Sequence, residues 1–318
     1  MENTRYLVSS SPHIRSGETT RRIMLDVIIA LMPALFAGVF YFGFKALTLT
    51  VTAVVFAVAA EAVMQRILGK PITVNDLSAV VTGILIAFNV PVTLPLWIVA
   101  IGSIFAIAVA KQCFGGLGFN FINPALAARA LLLASWPVRM TSWVAPGADA
   151  VSTATPLALV KAGAENAGQA LPSIWNLFVG NVGGCIGETS VLALLIGGAY
   201  LLYRGVISHR IPVAYIGTVA VLSYLFGGFD PFAMVYHVFA GGLFLGAIFM
   251  ATDYSSSPMS VKGQIIFGIG CGFLTSVIRF YGGYPEGVSY SILLMNLATP
   301  LIDKYTMPKK FGEVKKSA

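Results

Sequence analysis

Ile23-Met-Leu-Asp-Val-Ile-Ile-Ala-Leu-Met-Pro-Ala-Leu-Phe-Ala-Gly-Val-Phe-Tyr-Phe-Gly43 is an almost uninterrupted apolar run, with Asp26 its only charge. A helix needs roughly 20 such residues to cross the hydrocarbon core of a bilayer. The run does not alternate apolar and polar residues, as the strands of a membrane barrel do. Only helices and closed barrels satisfy the backbone in lipid, so this stretch reads as a spanning helix. Further apolar blocks have approximate cores at 46–66, 77–91, 94–112, 117–136, 174–203, 211–228, 231–251, 263–281 and 288–303. The expected fold is therefore an all-α membrane protein of about ten transmembrane helices. Two blocks read as broken half-helices. The one at 77–91 is short and runs into Pro91 and Pro95; the one at 174–203 is too long for one span and carries Gly180, Gly183, Gly184 and Gly187.

Composition agrees. The chain is 57% apolar and only 10% charged, against roughly 25% charged in an ordinary soluble domain. The mean hydropathy is +0.83. A net charge of +7 in a soluble protein would raise nucleic acid as a partner; here the basic residues gather at span ends and tails, which reads as topology, with no nucleic acid expected. Cys113, Cys185 and Cys271 are far apart and form no CxxC pair, so they signal neither disulfides nor a metal site and are expected as small buried hydrophobes. Residues 1–22 are polar and basic, and no secretory leader is expected.

With the amino terminus in the cytoplasm and spans alternating, all but five of the 20 Lys and Arg fall on the cytoplasmic side. The exceptions are Lys45, Arg129, Arg139, Lys161 and Arg279. Both termini are thus expected in the cytoplasm and the loop 137–172 outside. The domain reading is a tail at 1–22, one transmembrane domain at 23–303 and a basic tail at 304–318. A faint internal repeat is present. Gly83 to Asn89, Pro95 and Phe114-Gly115-Gly116 resemble Gly246 to Asp253, Pro258 and Tyr281-Gly282-Gly283. Two pseudo-repeated halves with interrupted helices point to a midplane site.

Thr155 precedes Pro156, so it is expected as the N-cap of a short helix over 156–170. Its hydroxyl is a weak nucleophile without a base, and no histidine is near in sequence. Asn123 before Pro124 is expected to cap another helix, behind a turn with Gly115, Gly116 and Gly118 that permits close approach of a flat ligand. Asp26, Glu61, Glu188 and Asp253 are acids in or beside apolar runs. Asp26 is expected to pair with Arg22, one turn back. Glu188 and Asp253 are the ion-path candidates. His13, His209 and His237 lack metal-ligand spacing, so no metal site is expected. Trp97, Trp136, Trp143 and Trp175 fit an interfacial belt.

Four blocks occur in the order of one known family: Ser9-Ser-Ser-Pro-His13, Phe114-Gly-Gly-Leu-Gly-Phe-Asn-Phe-Ile-Asn-Pro-Ala-Leu-Ala-Ala-Arg129, Asp149-Ala-Val-Ser-Thr-Ala-Thr155 before Pro156-Leu157, and Met250-Ala-Thr-Asp-Tyr254 before Pro258. The chain resembles, from about residue 5 to residue 305, the D subunit of Rnf and the B subunit of Nqr ion-translocating electron transport complexes. Its short tails favour the Rnf member. The resemblance implies Thr155 as the phosphoester attachment point of FMN, with Asp149, Ser152 and Ala154 as recognition positions. Thr153 stands where the family often has glycine, and is a minor rival acceptor. A second, non-covalent flavin such as riboflavin is implied near Phe114, Asn120 and Asn123.

The function implied is an electron carrier within an ion-translocating ferredoxin:NAD oxidoreductase, coupled to Na+ or H+ in a bacterial inner membrane. The chain has no nucleotide-binding βαβ unit and no iron–sulfur cysteine runs. It therefore lacks a complete active site and needs the A, B, C, E and G subunits of Rnf, with a flavin transferase for maturation. The alternatives are a secondary transporter or channel without redox function, which needs no flavin motif, and an inert scaffold.

Overall fold

The computed structural model describes residues 17–147, 152–162 and 171–308. Along the chain run α1 (Thr20–Phe42), α2 (Phe44–Ile67), α3 (Ser78–Phe88), α4 (Leu96–Ile107), α5 (Pro124–Ser135) and a single turn α6 (Pro137–Met140). Two-residue strands β1 (Trp143–Val144) and β2 (Ser152–Thr153) pair antiparallel in the loop that follows α6. Then come α7 (Pro156–Ala162), α8 (Ile174–Val179), α9 (Val191–Tyr203), α10 (Arg210–Phe226), α11 (Pro231–Phe239), α12 (Leu243–Leu245), α13 (Val261–Tyr281) and α14 (Val288–Thr306). Five-residue π turns continue α4 over Ala108–Gln112 and α12 over Gly246–Met250.

The chain is a helical membrane protein. Three helices, α1, α2 and α13, are long and apolar enough to cross a bilayer unaided, and α11 with α12 and its π turn form a pair bent by 61°. Phe36, Phe40 and Phe44 stay exposed, Phe40 at 82%. A belt of large exposed apolar side chains on a helical bundle is a lipid-facing surface.

Both blocks read as broken are broken. α3 is eleven residues long and mostly buried. The block at 174–203 divides into α8, a buried irregular stretch over 181–190, and α9. Irregular backbone at membrane depth must find partners. It does so at the end of α3, where Gly187 N–H donates to the Phe88 carbonyl at 3.1 Å and Ile186 N–H to Val90 at 3.4 Å. The block at 231–251, read as one span, is corrected to a broken one: Ala240 is extended and Gly241 has φ +73°. The segment 117–136 is also shortened. Its first seven residues are a turn, because Gly115, Gly116 and Gly118 all take positive φ and Pro124 opens α5.

Three expectations about single residues change. Asp26 pairs with Arg204 across to α9, at 3.0 Å, and accepts from Tyr200 at 2.8 Å, while Arg22 reaches Glu18 at 3.7 Å. Lys111, read as a cytoplasmic topology charge, is buried; its Nζ lies 2.6 Å from Glu61 and 2.6 Å from Ser78 Oγ. Cys113 is exposed, whereas Cys185 and Cys271 are buried as expected.

Candidate functional site

Thr155 lies between β2 and α7 and is buried. Its Oγ1 accepts from Ala158 N–H at 3.3 Å, and its carbonyl accepts from Leu159 N–H at 3.0 Å. The cap expected from Thr155-Pro156 is present, on a helix seen as far as Ala162. The residue lines a cavity of about 300 Å³, walled by Trp143, Ala154, Tyr284, Tyr290, Arg129 and Glu286 among others. Two devices hold the far wall. The Lys161 ammonium, on α7 behind Thr155, donates to the carbonyls of Gly282, Tyr284 and Arg279, which ties α7 to the turn that carries Tyr284 and Glu286. Arg129 on α5 donates to Asn89 Oδ1 at 2.8 Å and to Glu286 Oε2 at 2.6 Å. The arrangement is a largely apolar cleft with aromatic walls, the Thr155 hydroxyl and a few other polar groups, the usual chemistry of an organic cofactor site.

Of the other positions expected at this site, Ala154 lines the same cavity. Ser152 pairs with Val144 through the β1–β2 ladder. Asp149 lies outside the described residues. Thr153, the rival acceptor, also reaches the cavity wall, and its Oγ1 has no partner among the described residues.

Asn120 and Asn123 meet Asp253 away from Thr155, around a cavity of about 100 Å³ that Lys111 also lines. Asn123 caps α5 through Ala125 N–H at 3.0 Å and donates to the Met250 carbonyl at 3.3 Å. Asn120 donates to Asp253 Oδ2 at 3.4 Å, and Ser256 Oγ to the same oxygen at 2.9 Å. The two asparagines thus join the turn before α5 to the turn after the second π turn. Phe114 does not join them; it is half exposed and meets Phe121 edge to face at 4.7 Å.

Glu188 sits in the irregular stretch before α9 and is 5% exposed. Its Oε1 accepts from Cys185 N–H at 2.9 Å. It shares a small cavity with Thr155 and Glu286, so the structure brings Glu188 to the Thr155 region and leaves Asp253 elsewhere. Sequence reasoning missed Glu286, which contributes to both cavities at Thr155. A signal existed: Glu286 follows Gly282-Gly283, the glycine pair singled out as the second copy of the repeat.

A model of the NQR2, RnfD, RnfE family matches residues 7–312. The chain is 58% identical to the D subunit of the Na+-translocating ferredoxin:NAD+ oxidoreductase complex of Acetobacterium woodii, over 100% of this chain and 99% of that relative. It is 50% identical to the D subunit of the proton-translocating ferredoxin:NAD+ oxidoreductase complex of Clostridium ljungdahlii, over 96% of each. It is 40% identical to the D subunit of the ion-translocating oxidoreductase complex of Stutzerimonas stutzeri, over 92% of each.

Proposed function

We propose a function from one premise: the chain belongs to the NQR2, RnfD, RnfE family. On that premise it is an integral-membrane, FMN-carrying electron-transfer subunit of an ion-translocating ferredoxin:NAD oxidoreductase complex. Electron flow is coupled to Na+ or H+ transport. Near-complete coverage of relatives bearing such names supports this reading.

The observation that carries the flavin is the position of the Thr155 hydroxyl on the wall of a cavity of about 300 Å³ faced by Trp143, Tyr284 and Tyr290. These residues fit the group. Thr155 Oγ1 would carry the FMN phosphate, and the aromatic side chains would supply apolar faces for its flat ring. Bound there, FMN would accept and pass on electrons singly or in pairs. Glu286, which lines the cavity with Thr155, is ion-paired through Oε2 to Arg129 at 2.6 Å. A separate flavin transferase would read Asp149, Ser152 and Ala154 and transfer the FMN phosphoryl group from a flavin dinucleotide to the hydroxyl, with the nucleoside monophosphate leaving and a base of the transferase taking the hydroxyl proton. Lys161 and Arg129 would hold the far wall in place around the bound group.

A second flavin such as riboflavin fits less well at Phe114, Asn120 and Asn123. Phe114 lies off the wall that the asparagines share, and their amides are already engaged. We derive no step through it. Glu188 and Asp253 serve as separate stations for the translocated ion, one near Thr155 and one away from it. The chain crosses a bacterial inner membrane about ten times in two pseudo-repeated halves, with both termini cytoplasmic and Thr155 outward. The order short helix, proline turn, long helix, glycine turn, helix occurs in α3–α5 and again in α12–α14, which supports the two halves. Its partners are the A, B, C, E and G subunits of the same complex.

The test is Thr155→Val in the complex co-produced with its transferase. Denaturing gels should lose the flavin fluorescence of this chain while the complex still assembles. Fluorescence that persists at wild-type strength removes the proposal.

A further inference from the structure

We propose that Glu188 and Glu286 together hold one monovalent cation, a proton or a sodium ion, between their facing oxygens at the Gly241–Gly242 helix break. Each carboxylate has one oxygen engaged and one free. Glu188 Oε1 accepts from Cys185 N–H, and Glu286 Oε2 accepts from Arg129. Glu188 Oε2 and Glu286 Oε1 have no partner among the described residues. Both free oxygens lie against the same break in the backbone. A Cβ on Gly242 would sit 3.1 Å from Glu188 Oε2, and one on Gly241 would sit 3.6 Å from Glu286 Oε1.

No described group is hydrogen-bonded to either free oxygen. Arg129 is committed to Glu286 Oε2 and Asn89. Arg279 donates from its two terminal nitrogens to the carbonyls of His237 and Ala240, at the end of α11, and its Nε makes no hydrogen bond to either carboxylate among the described residues. Cys185 offers its backbone N–H to the other oxygen of Glu188. Buried acceptors are nearly always satisfied, and two carboxylates that share a dry site do not both stay ionised unless something positive lies between them.

Size and access fit a small cation. The gap opens on a cavity of about 10 Å³, room for a single water-sized occupant. Two carboxylates are too few for Ca2+, which takes six to eight oxygen ligands. Thr155 and Glu286 line both this cavity and the larger one of about 300 Å³, so a cation reaches the pair from the Thr155 side. An ion held at the break of a discontinuous helix is a recurring transporter arrangement. The site rests on the carboxylates and does not require the flavin.

The experiment uses the purified, assembled complex, with infrared spectroscopy for protonated carboxyls and equilibrium dialysis with radioactive sodium. The wild-type complex should show either a protonated-carboxyl band in sodium-free buffer or one tightly held sodium ion per chain. Glu188→Gln and Glu286→Gln should each abolish that signal. A band identifies the occupant as a proton, and bound sodium identifies it as Na+. The proposal is overturned if the wild-type complex shows neither, which would leave a water in the gap, or if both variants keep the wild-type signal. Thr155→Val tests the flavin reading separately. Loss of the flavin with the cation signal intact leaves the cation site standing, and loss of the cation signal in the two Gln variants with flavin retained leaves the flavin reading standing.

Discussion

Lys111 illustrates what single residues do inside this bundle. Its ammonium is buried with Glu61 at 2.6 Å, with Ser78 at 2.6 Å, and with Gln112 donating to the same Glu61 oxygen at 2.9 Å. Breaking a buried pair from one side leaves an uncompensated charge and costs about 3–5 kcal/mol, whereas replacing both partners is often neutral. Lys111→Met should therefore lower the thermal midpoint of the purified chain sharply, and Lys111→Met with Glu61→Gln should recover most of the loss; scanning fluorimetry in detergent reads both. A sequence shows Lys111 only as a charge at the end of an apolar block, indistinguishable from a topology signal. The partner lies fifty positions away, and no periodicity links them. Still longer separations hid the pairing of Asp26 with Arg204 and that of Arg129 with Glu286. Local devices were legible because their partners are adjacent: Asn123 before Pro124, and Thr155 before Pro156, cap as their spacing predicts.

At the scale of elements, glycine sets how closely the helices approach. Gly197 on α9 faces α1, where an added Cβ would lie 2.0 Å from the Ala30 carbonyl oxygen. That neighbour is backbone and cannot swing aside. Overpacking of this kind costs about 1–3 kcal/mol. Gly217 on α10 meets nothing within 4 Å, and alanine there should gain up to about 1 kcal/mol in helix propensity. Gly197→Ala should thus reduce the yield and thermal midpoint of folded chain, while Gly217→Ala leaves both unchanged or raises them. Equal behaviour of the two would contradict the packing. Helix breaks marked by several glycines or prolines, as at 77–91 and 174–203, could be read from the sequence. The break at 240–242 could not, since one extended Ala240 beside two glycines looks like ordinary small-residue packing until the chain is seen to bend by 61°.

For the molecule as a whole, the account places the Thr155 loop on the opposite side of the membrane from the termini. In a Cys113→Ser background, Ala162→Cys should react with an impermeant maleimide in right-side-out vesicles and Lys304→Cys only in inverted ones; both positions are exposed. The same side for both would overturn the topology. The all-α membrane fold class followed from the apolar blocks, and one short motif pointed to Thr155, beside which the structure has a cavity. The second carboxylate at that cavity needed the three-dimensional arrangement. The central claim is that this membrane bundle carries electrons on a flavin esterified to Thr155. Mass spectrometry of the peptide spanning Asp149 to Lys161, taken from the active complex, tests it most directly. The account predicts an adduct with the mass of FMN on Thr155; an unmodified peptide from an active complex would contradict it.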